Sequence, residues 1–248
     1  LTKECVVARQ QNQGGGSKWF YVTLGVVILV GVGWLLTAGR SGGEAEELPP
    51  LAVAQTAGIV ADPNSGTSIG PDDAVVTIYD FSDYLCPHCR EFNSMVGKLL
   101  RRNYAVPGGP LRWVSFEFPL GEGSFPATVA SLCAEEQGKY WEMHDMIFAR
   151  VESWATETNP TRAFVDLAKD IGLDTGDFKS CLDKRENTRR ILSAKQFGVD
   201  LGVTGTPTVF INGQAVPRTN QFYSYQGLEQ VIQQEAAAAA AAATPAGE

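Results

Sequence analysis

Two cysteines, Cys86 and Cys89, stand where an apolar strand pattern gives way to a helical one, and that junction constrains the chain more than any other feature. Residues 74–81, AVVTIYDF, are β-branched and aromatic, interrupted only by Thr77 and Asp80, as in a strand buried on both faces. After Cys86 a helical spacing runs through Phe92, Met95, Val96, Leu99 and Leu100. A thiol at the start of a helix meets unpaired backbone N–H groups and the positive end of the macrodipole, and both stabilise a thiolate. Pro87 fits the first turn, where its missing N–H costs nothing. His88 brings an imidazole that can donate to the sulfur or carry charge beside it. The spacing returns Cys89 by one turn, within disulfide reach of Cys86. Cys86 is then the exposed nucleophile and Cys89 the buried resolving thiol. The more the thiolate is stabilised, the stronger an oxidant the disulfide becomes. A zinc site would need two more ligands, and beyond the linker only the scattered Cys133, Cys181 and His144 are available, so no metal is expected. Haem attachment would want a histidine directly after the second cysteine, where Arg90 stands.

The rest of the body alternates strand and helix signals. Residues 111–118, LRWVSFEF, read as a strand closed by Pro119. Helical spacing follows in Val129, Leu132 and Cys133, then in Trp141, His144, Met146, Ile147 and Phe148, and again over 161–171, 177–182 and 186–201. After Pro207 comes a strand at 208–211, a hairpin signal in Asn212-Gly213, a strand at 214–217 and a last helix from about Tyr225. This order describes an α/β sheet with a helical insertion.

Residues 19–38, WFYVTLGVVILVGVGWLLTA, carry no charge, and 20 helical residues span roughly 30 Å, the hydrocarbon thickness of a bilayer. Lys3, Arg9 and Lys18 precede the segment, whereas Glu44, Glu46 and Glu47 follow it. The positive-inside rule places residues 1–18 in the cytoplasm and the remainder outside. A cleaved signal peptide would need a shorter apolar core and a small-x-small site. Residues 39–70, rich in Gly, Ala, Pro, Ser and Glu, read as a flexible linker, and 236–248 as an Ala-rich helix or tail. Residues 41–248 hold 16 basic against 27 acidic side chains. Such a body does not suit a nucleic-acid groove, which needs a basic stripe.

The stretches VTIYDFSDYLCPHC (76–89), LCAEEQGKYWEMHDMIF (132–148) and GVTGTPTVFINGQ (202–214) together resemble the DsbA-like thiol–disulfide oxidoreductases of the thioredoxin superfamily. The resemblance covers most of residues 70–235. It implies a thioredoxin fold over 71–235 with a helical insertion at about 121–200. It also implies a cis Thr206-Pro207 peptide facing the active site, in a loop whose backbone pairs with a substrate segment like an added strand. Asp80, six residues before Cys86, is costly in an apolar strand unless hydrogen-bonded or protonated. The family often keeps a buried acid there as a proton relay, although the residues alone leave open that it points to solvent. Cys133 and Cys181 match positions that several relatives join in a second disulfide, worth roughly 4 kcal/mol in the chain-entropy model; two buried free thiols are the alternative. Asp83 and Glu117 are expected to be structural or exposed, and His144 to be a packed helix residue.

The implied function is a membrane-anchored dithiol oxidase whose domain faces the periplasm or cell exterior. Its partners would be reduced exported polypeptides, a membrane quinone-linked reoxidant and the lipid bilayer; no cofactor and no nucleic acid is expected. A second reading makes the chain an accessory or assembly subunit of a larger membrane complex, with the domain as a docking body. A third reverses the chemistry into a reductase or isomerase.

Overall fold

The computed structural model describes residues 55–56, 59–185 and 187–243. The 19–38 anchor, the 1–18 segment and Cys5 lie outside the described residues. Among the described residues no helix is long and apolar enough to cross a membrane.

A five-stranded sheet forms the frame, in the order β3-β5-β4-β6-β7. Its centre is β4 (Val76–Ser82), which pairs in parallel with β5 (Leu111–Glu117) and antiparallel with β6 (Thr208–Ile211). The edges are β3 (Thr67–Ile69) on β5 and β7 (Gln214–Ala215) on β6, both antiparallel. A separate two-stranded pair joins β1 (Gln55–Thr56) to β2 (Ile59–Val60). These strands lie within the 39–70 segment, and the three residues Thr67–Ile69 are too few to show a period. Gly66 makes this edge possible: a Cβ there would lie 2.6 Å from Val114 Cγ1 and 2.9 Å from Phe116 Cε1. The Asn212-Gly213 hairpin forms as its residues dictate, with both at positive φ and Ile211 paired with Gln214.

The continuous apolar run of β4 serves two cores. Val76, Ile78 and Asp80 point to one face, where Leu111, Trp113 and Val209 meet Phe92, Val96 and Leu100 and the last helix, through Leu228 and Ile232. Phe81 points to the other face, stacked on Phe116 with ring centroids 4.8 Å apart and packed among Phe118, Phe197 and Phe210. Truncating such a ring costs about 3–5 kcal/mol. On the first face lie α1 (Pro87–Phe92), a π-turn at Asn93–Gly97, and α2 (Lys98–Tyr104). The helical spacing from Phe92 to Leu100 is therefore not one regular helix.

Five helices form the insertion: α3 (Phe125–Glu135), α4 (Tyr140–Ala149), α5 (Thr161–Asp170), α6 (Thr175–Lys184) and α7 (Thr188–Asp200). Their core contains Leu132, Met143, Ile147, Phe164 and Phe178, and also Tyr84 and Cys89. The insertion thus packs directly against the start of α1. The last helix, α8 (Tyr225–Ala243), takes in the alanine run, so residues 236–243 are helical.

Candidate active site

Cys86 is the N-cap of α1, with extended backbone angles, and Pro87 opens the helix. The Cys89 backbone N–H donates to Cys86 Sγ at 3.4 Å, and the Thr206 carbonyl lies 3.5 Å from the same sulfur. Both thiols are free; Cys86 is half-buried and Cys89 only 1% exposed. The Cys86 thiol is lowered to about 5: the Cys89 thiol donates to it most strongly, against the cost of burial, and Thr206 and the Cys89 and His88 backbone N–H groups add to the effect. Burial and then the neighbouring Cys86 push Cys89 far up. The asymmetry follows from position, because one sulfur faces the helix's unpaired donors and the other sits in the core. His88 contributes through its backbone. Its exposed ring makes no hydrogen bond among the described residues.

The loop opposite carries a cis Thr206-Pro207 peptide. Among the described residues the buried Thr206 hydroxyl has no hydrogen-bond partner, and it favours the anionic form of both sulfurs. Beside the loop runs a groove of about 700 Å³ lined by His88, Phe92, Met95, Pro207, Arg218 and Tyr223.

Three acids near the dithiol are buried. Asp83 binds the turn before Cys86 to the chain after β5: its carboxylate accepts from Leu85 N and Leu120 N, both at 2.6 Å, and from the Ser124 hydroxyl at 2.8 Å. Asp80 is 3% exposed and points inward, which settles its orientation. It accepts from the Ser82 hydroxyl at 2.7 Å, and burial raises it to about 6 despite that bond and the nearby Arg101 charge. No described hydrogen bond or ion pair joins Asp80 to either sulfur. Glu117 was expected to be structural or exposed; it too is buried, opposite Ser82 in the β4–β5 register. Its Oε1 accepts from the hydroxyls of Ser131 and Tyr140 at 2.8 Å and of Tyr84 at 3.2 Å. Burial lifts Glu117 to about 7 against the pull of those donors. The signal was present: an acid at the end of the apolar run LRWVSFEF invites the same question as Asp80.

Sequence reasoning also missed Arg101. It is 4% exposed, lies with its guanidinium carbon 4.4 Å from the Trp141 ring centroid, and donates to Asp145 at 2.7 Å and Asn93 at 3.0 Å. Among the described residues its Nη1 has no hydrogen-bond partner. Burial draws Arg101 down, while Asp145 and Asp80 draw it back. His144 packs here as expected, pushed to about 4 by burial. Burial works against ionisation of Asp145, but its hydrogen bond with His144 and the Arg101 charge hold it well below the usual carboxylate range. Arginine in an exposed-looking helix segment, KLLRRNY, gives no cue that one of its two arginines turns inward.

Away from the dithiol, Cys133 on α3 and Cys181 on α6 are joined by a disulfide, with Cα atoms 5.8 Å apart. Among the described residues no group of three or more His, Cys, Asp or Glu side chains is placed to hold a metal ion.

A family model described as thioredoxin matches residues 63–234. Disulfide bond formation protein D of Bacillus subtilis is 26% identical over 171 residues, covering 67% of this chain and 75% of that protein. Na(+)/H(+) antiporter NhaA 3 of Salinispora tropica is 31% identical over 159 residues, but the chain spans only 23% of its length. Among solved structures, oxidised BdbD from Bacillus subtilis superposes with a TM-score of 0.61 at 24% identity, covering 71% of this chain and 95% of that one. A thioredoxin-like oxidoreductase from Silicibacter pomeroyi gives 0.55 at 27% identity, covering 71% of this chain and 94% of that one. The chain belongs to the thioredoxin family.

Proposed function

We propose that the chain is a dithiol oxidase that introduces disulfides into exported polypeptides, tethered to the membrane by residues 19–38 with its domain on the outer side. The observation that carries this reading is the asymmetric pair: a stabilised Cys86 thiolate over a buried Cys89 thiol. In the oxidised protein, a substrate thiolate attacks Cys86 Sγ and breaks the Cys86–Cys89 bond. The Cys89 sulfur leaves with the electron pair and takes a proton. A second substrate thiolate then attacks the substrate sulfur of the mixed disulfide, and Cys86 leaves as a thiolate. Two electrons have passed to the pair, and the substrate holds a new disulfide. A thiolate as stable as Cys86 is a good leaving group in the second step, which drives the exchange toward substrate oxidation. The Thr206-Pro207 loop would receive the substrate backbone as an added strand. A membrane quinone-linked reoxidant would return the electrons. Asp80 would be the proton relay below the pair. Cys133–Cys181 would be a structural brace.

The match to a short part of a larger antiporter favours a second reading, in which the domain docks on a membrane transporter. Stoichiometric partners retained in mild detergent after loss of both Cys86 and Cys89 would support it.

The direct test is oxidation of a dithiol peptide. Cys86→Ser should abolish it, and full activity in that variant would overturn the assignment. A reduction potential near thioredoxin's, about −270 mV, would reverse the direction to a reductase.

A further inference from the structure

The Thr206 loop meets Cys86, and a residue from beyond the hairpin is hydrogen-bonded to both ends of that loop. We propose that Arg218 is a positioning residue for thiol–disulfide exchange: its guanidinium clamps the Gly205–Thr208 loop and so holds Thr206 against Cys86. This inference rests on the reading of Cys86 as the exchanging sulfur.

Arg218 Nη2 donates to the Gly205 carbonyl at 2.5 Å and also to Thr208 Oγ1. The Thr208 hydroxyl in turn donates to the Gly205 carbonyl at 2.6 Å. One guanidinium nitrogen therefore joins both ends of the four-residue loop. The two residues between those ends are Thr206 and Pro207; the Thr206 carbonyl accepts from the Cys86 thiol at 3.5 Å, and it is the Thr206 hydroxyl that favours the Cys86 thiolate. The next residue is held independently, since the Val209 N–H donates to the Tyr223 hydroxyl at 3.0 Å. Tyr223 packs on Phe92 of the dithiol helix with ring centroids 5.4 Å apart. The loop is thus tied to α1 on one side through Tyr223 and closed on the other by Arg218.

The sequence explains how Arg218 arrives there. Asn212 and Gly213 turn the chain back on itself, Val216 N–H donates to the Val209 carbonyl at 2.8 Å, and Pro217 ends the pairing. Arg218 then leaves the hairpin beside the loop that preceded it. Its side chain is exposed and lines the groove. An exposed arginine contributes little to global stability through charge alone. Its directed donors to the Gly205–Thr208 loop are another matter, because misplacing a positioning group by an ångström can cost far more in rate than in stability.

The test compares Arg218→Met, Arg218→Lys and Thr208→Val in the full chain. Arg218→Met keeps the length and removes the donors. We expect its kcat/KM for dithiol-peptide oxidation to fall about tenfold, the scale of losing a hydrogen bond from a charged donor. The Cys86 thiolate, followed by its absorbance near 240 nm in the reduced protein, should form at higher pH while the melting temperature stays at the wild-type value. Arg218→Lys should recover part of both effects. Thr208→Val combined with Arg218→Met should be no worse than the poorer single variant, since both break one clamp. An unchanged thiolate titration in Arg218→Met, or strictly additive losses in the double variant, would overturn the proposal. Failure of the wild type to oxidise the peptide would instead sink the functional reading, and the titration would still judge the clamp.

Discussion

The chain holds two cysteine pairs that chemistry treats in opposite ways. Cys86 and Cys89 are three residues apart and free; Cys133 and Cys181 are 48 apart and bonded. Around Cys86 stand donors: the Cys89 thiol and the backbone N–H groups at the start of α1. Beside Cys181 stand a side-chain amide donor, Asn187 Nδ2 at 3.6 Å, and a carboxylate acceptor, Glu136 Oε1 at 3.4 Å, and both bridging cysteines are buried. Reduction at the first pair gives a thiolate that its surroundings welcome. Reduction at the second would leave two buried thiols, one of them beside the exposed Glu136 carboxylate. The first pair is therefore suited to changing state, and the second to holding the insertion together. Neither property follows from cysteine count; both follow from what faces each sulfur.

The sharpest way to break this contrast is to remove the second pair. Replacing Cys133 and Cys181 with Ala should lower stability by about 4 kcal/mol, the chain-entropy cost of opening a loop of that length. The Cys86 thiolate titration should not move. Denaturant unfolding and the titration on the same sample check both halves, and a shifted Cys86 midpoint would show that the brace also shapes the site.

The buried carboxyls give the next effect, and its sign can be fixed. Burial raises Glu117 from 4.5 to about 7. The stability tied to its proton is fully present below about pH 4.5 and is lost as pH rises through about 7, a fall of about 3 kcal/mol. Asp80 adds a fall over a lower window, from 3.8 to about 6. His144, depressed to about 4, acts in the opposite sense between about 4 and 6.5. Comparing Glu117→Gln with wild type from pH 4 to 8 cancels the Asp80 and His144 contributions. The variant should gain relative stability as pH rises, and a flat difference would mean that Glu117 ionises freely.

Within the first pair, Cys89→Ala isolates the largest influence on Cys86. Losing the Cys89 thiol as donor should cost the Cys86 thiolate about 2 kcal/mol, the range of a hydrogen bond to a charged group. Its ionisation should then shift to higher pH while remaining below that of free cysteine. A midpoint equal to free cysteine's would mean that the helix N–H groups and Thr206 add nothing.

Much of this arrangement was legible before any coordinates. The strand at 74–81, the dithiol at its end and the Asn212-Gly213 turn each declare themselves through local rules: a continuous apolar run, a helix start and a two-residue hairpin. The edge strand Thr67–Ile69 did not, because its pairing depends on Gly66 admitting Val114 and Phe116. Arg101 and Glu117 did not either. Polar residues are buried by partners distant in the chain, here Asp145 and the trio Tyr84, Ser131 and Tyr140, and no local period encodes such meetings.

The smallest expected effect tests whether the insertion and the dithiol are as separate as the two cysteine pairs suggest. Helix α6, which carries Cys181, begins at an aspartate cap. The Asp174 carboxylate accepts from the backbone N–H groups of Gly176 at 2.8 Å and Asp177 at 2.9 Å, satisfying two donors that the helix cannot. Sequence reading started this helix later, at 177, because the apolar spacing begins there and the cap precedes it. Asp174→Ala should cost about 1 kcal/mol, the usual worth of an N-cap. Amide exchange should quicken in the first turn of α6, since the disulfide at Cys181 restrains the other end. The Cys86 titration should again be unchanged. If loosening this cap moves the Cys86 midpoint, the insertion is transmitting its order through the shared core of Tyr84 and Cys89, and the two pairs form one device rather than two.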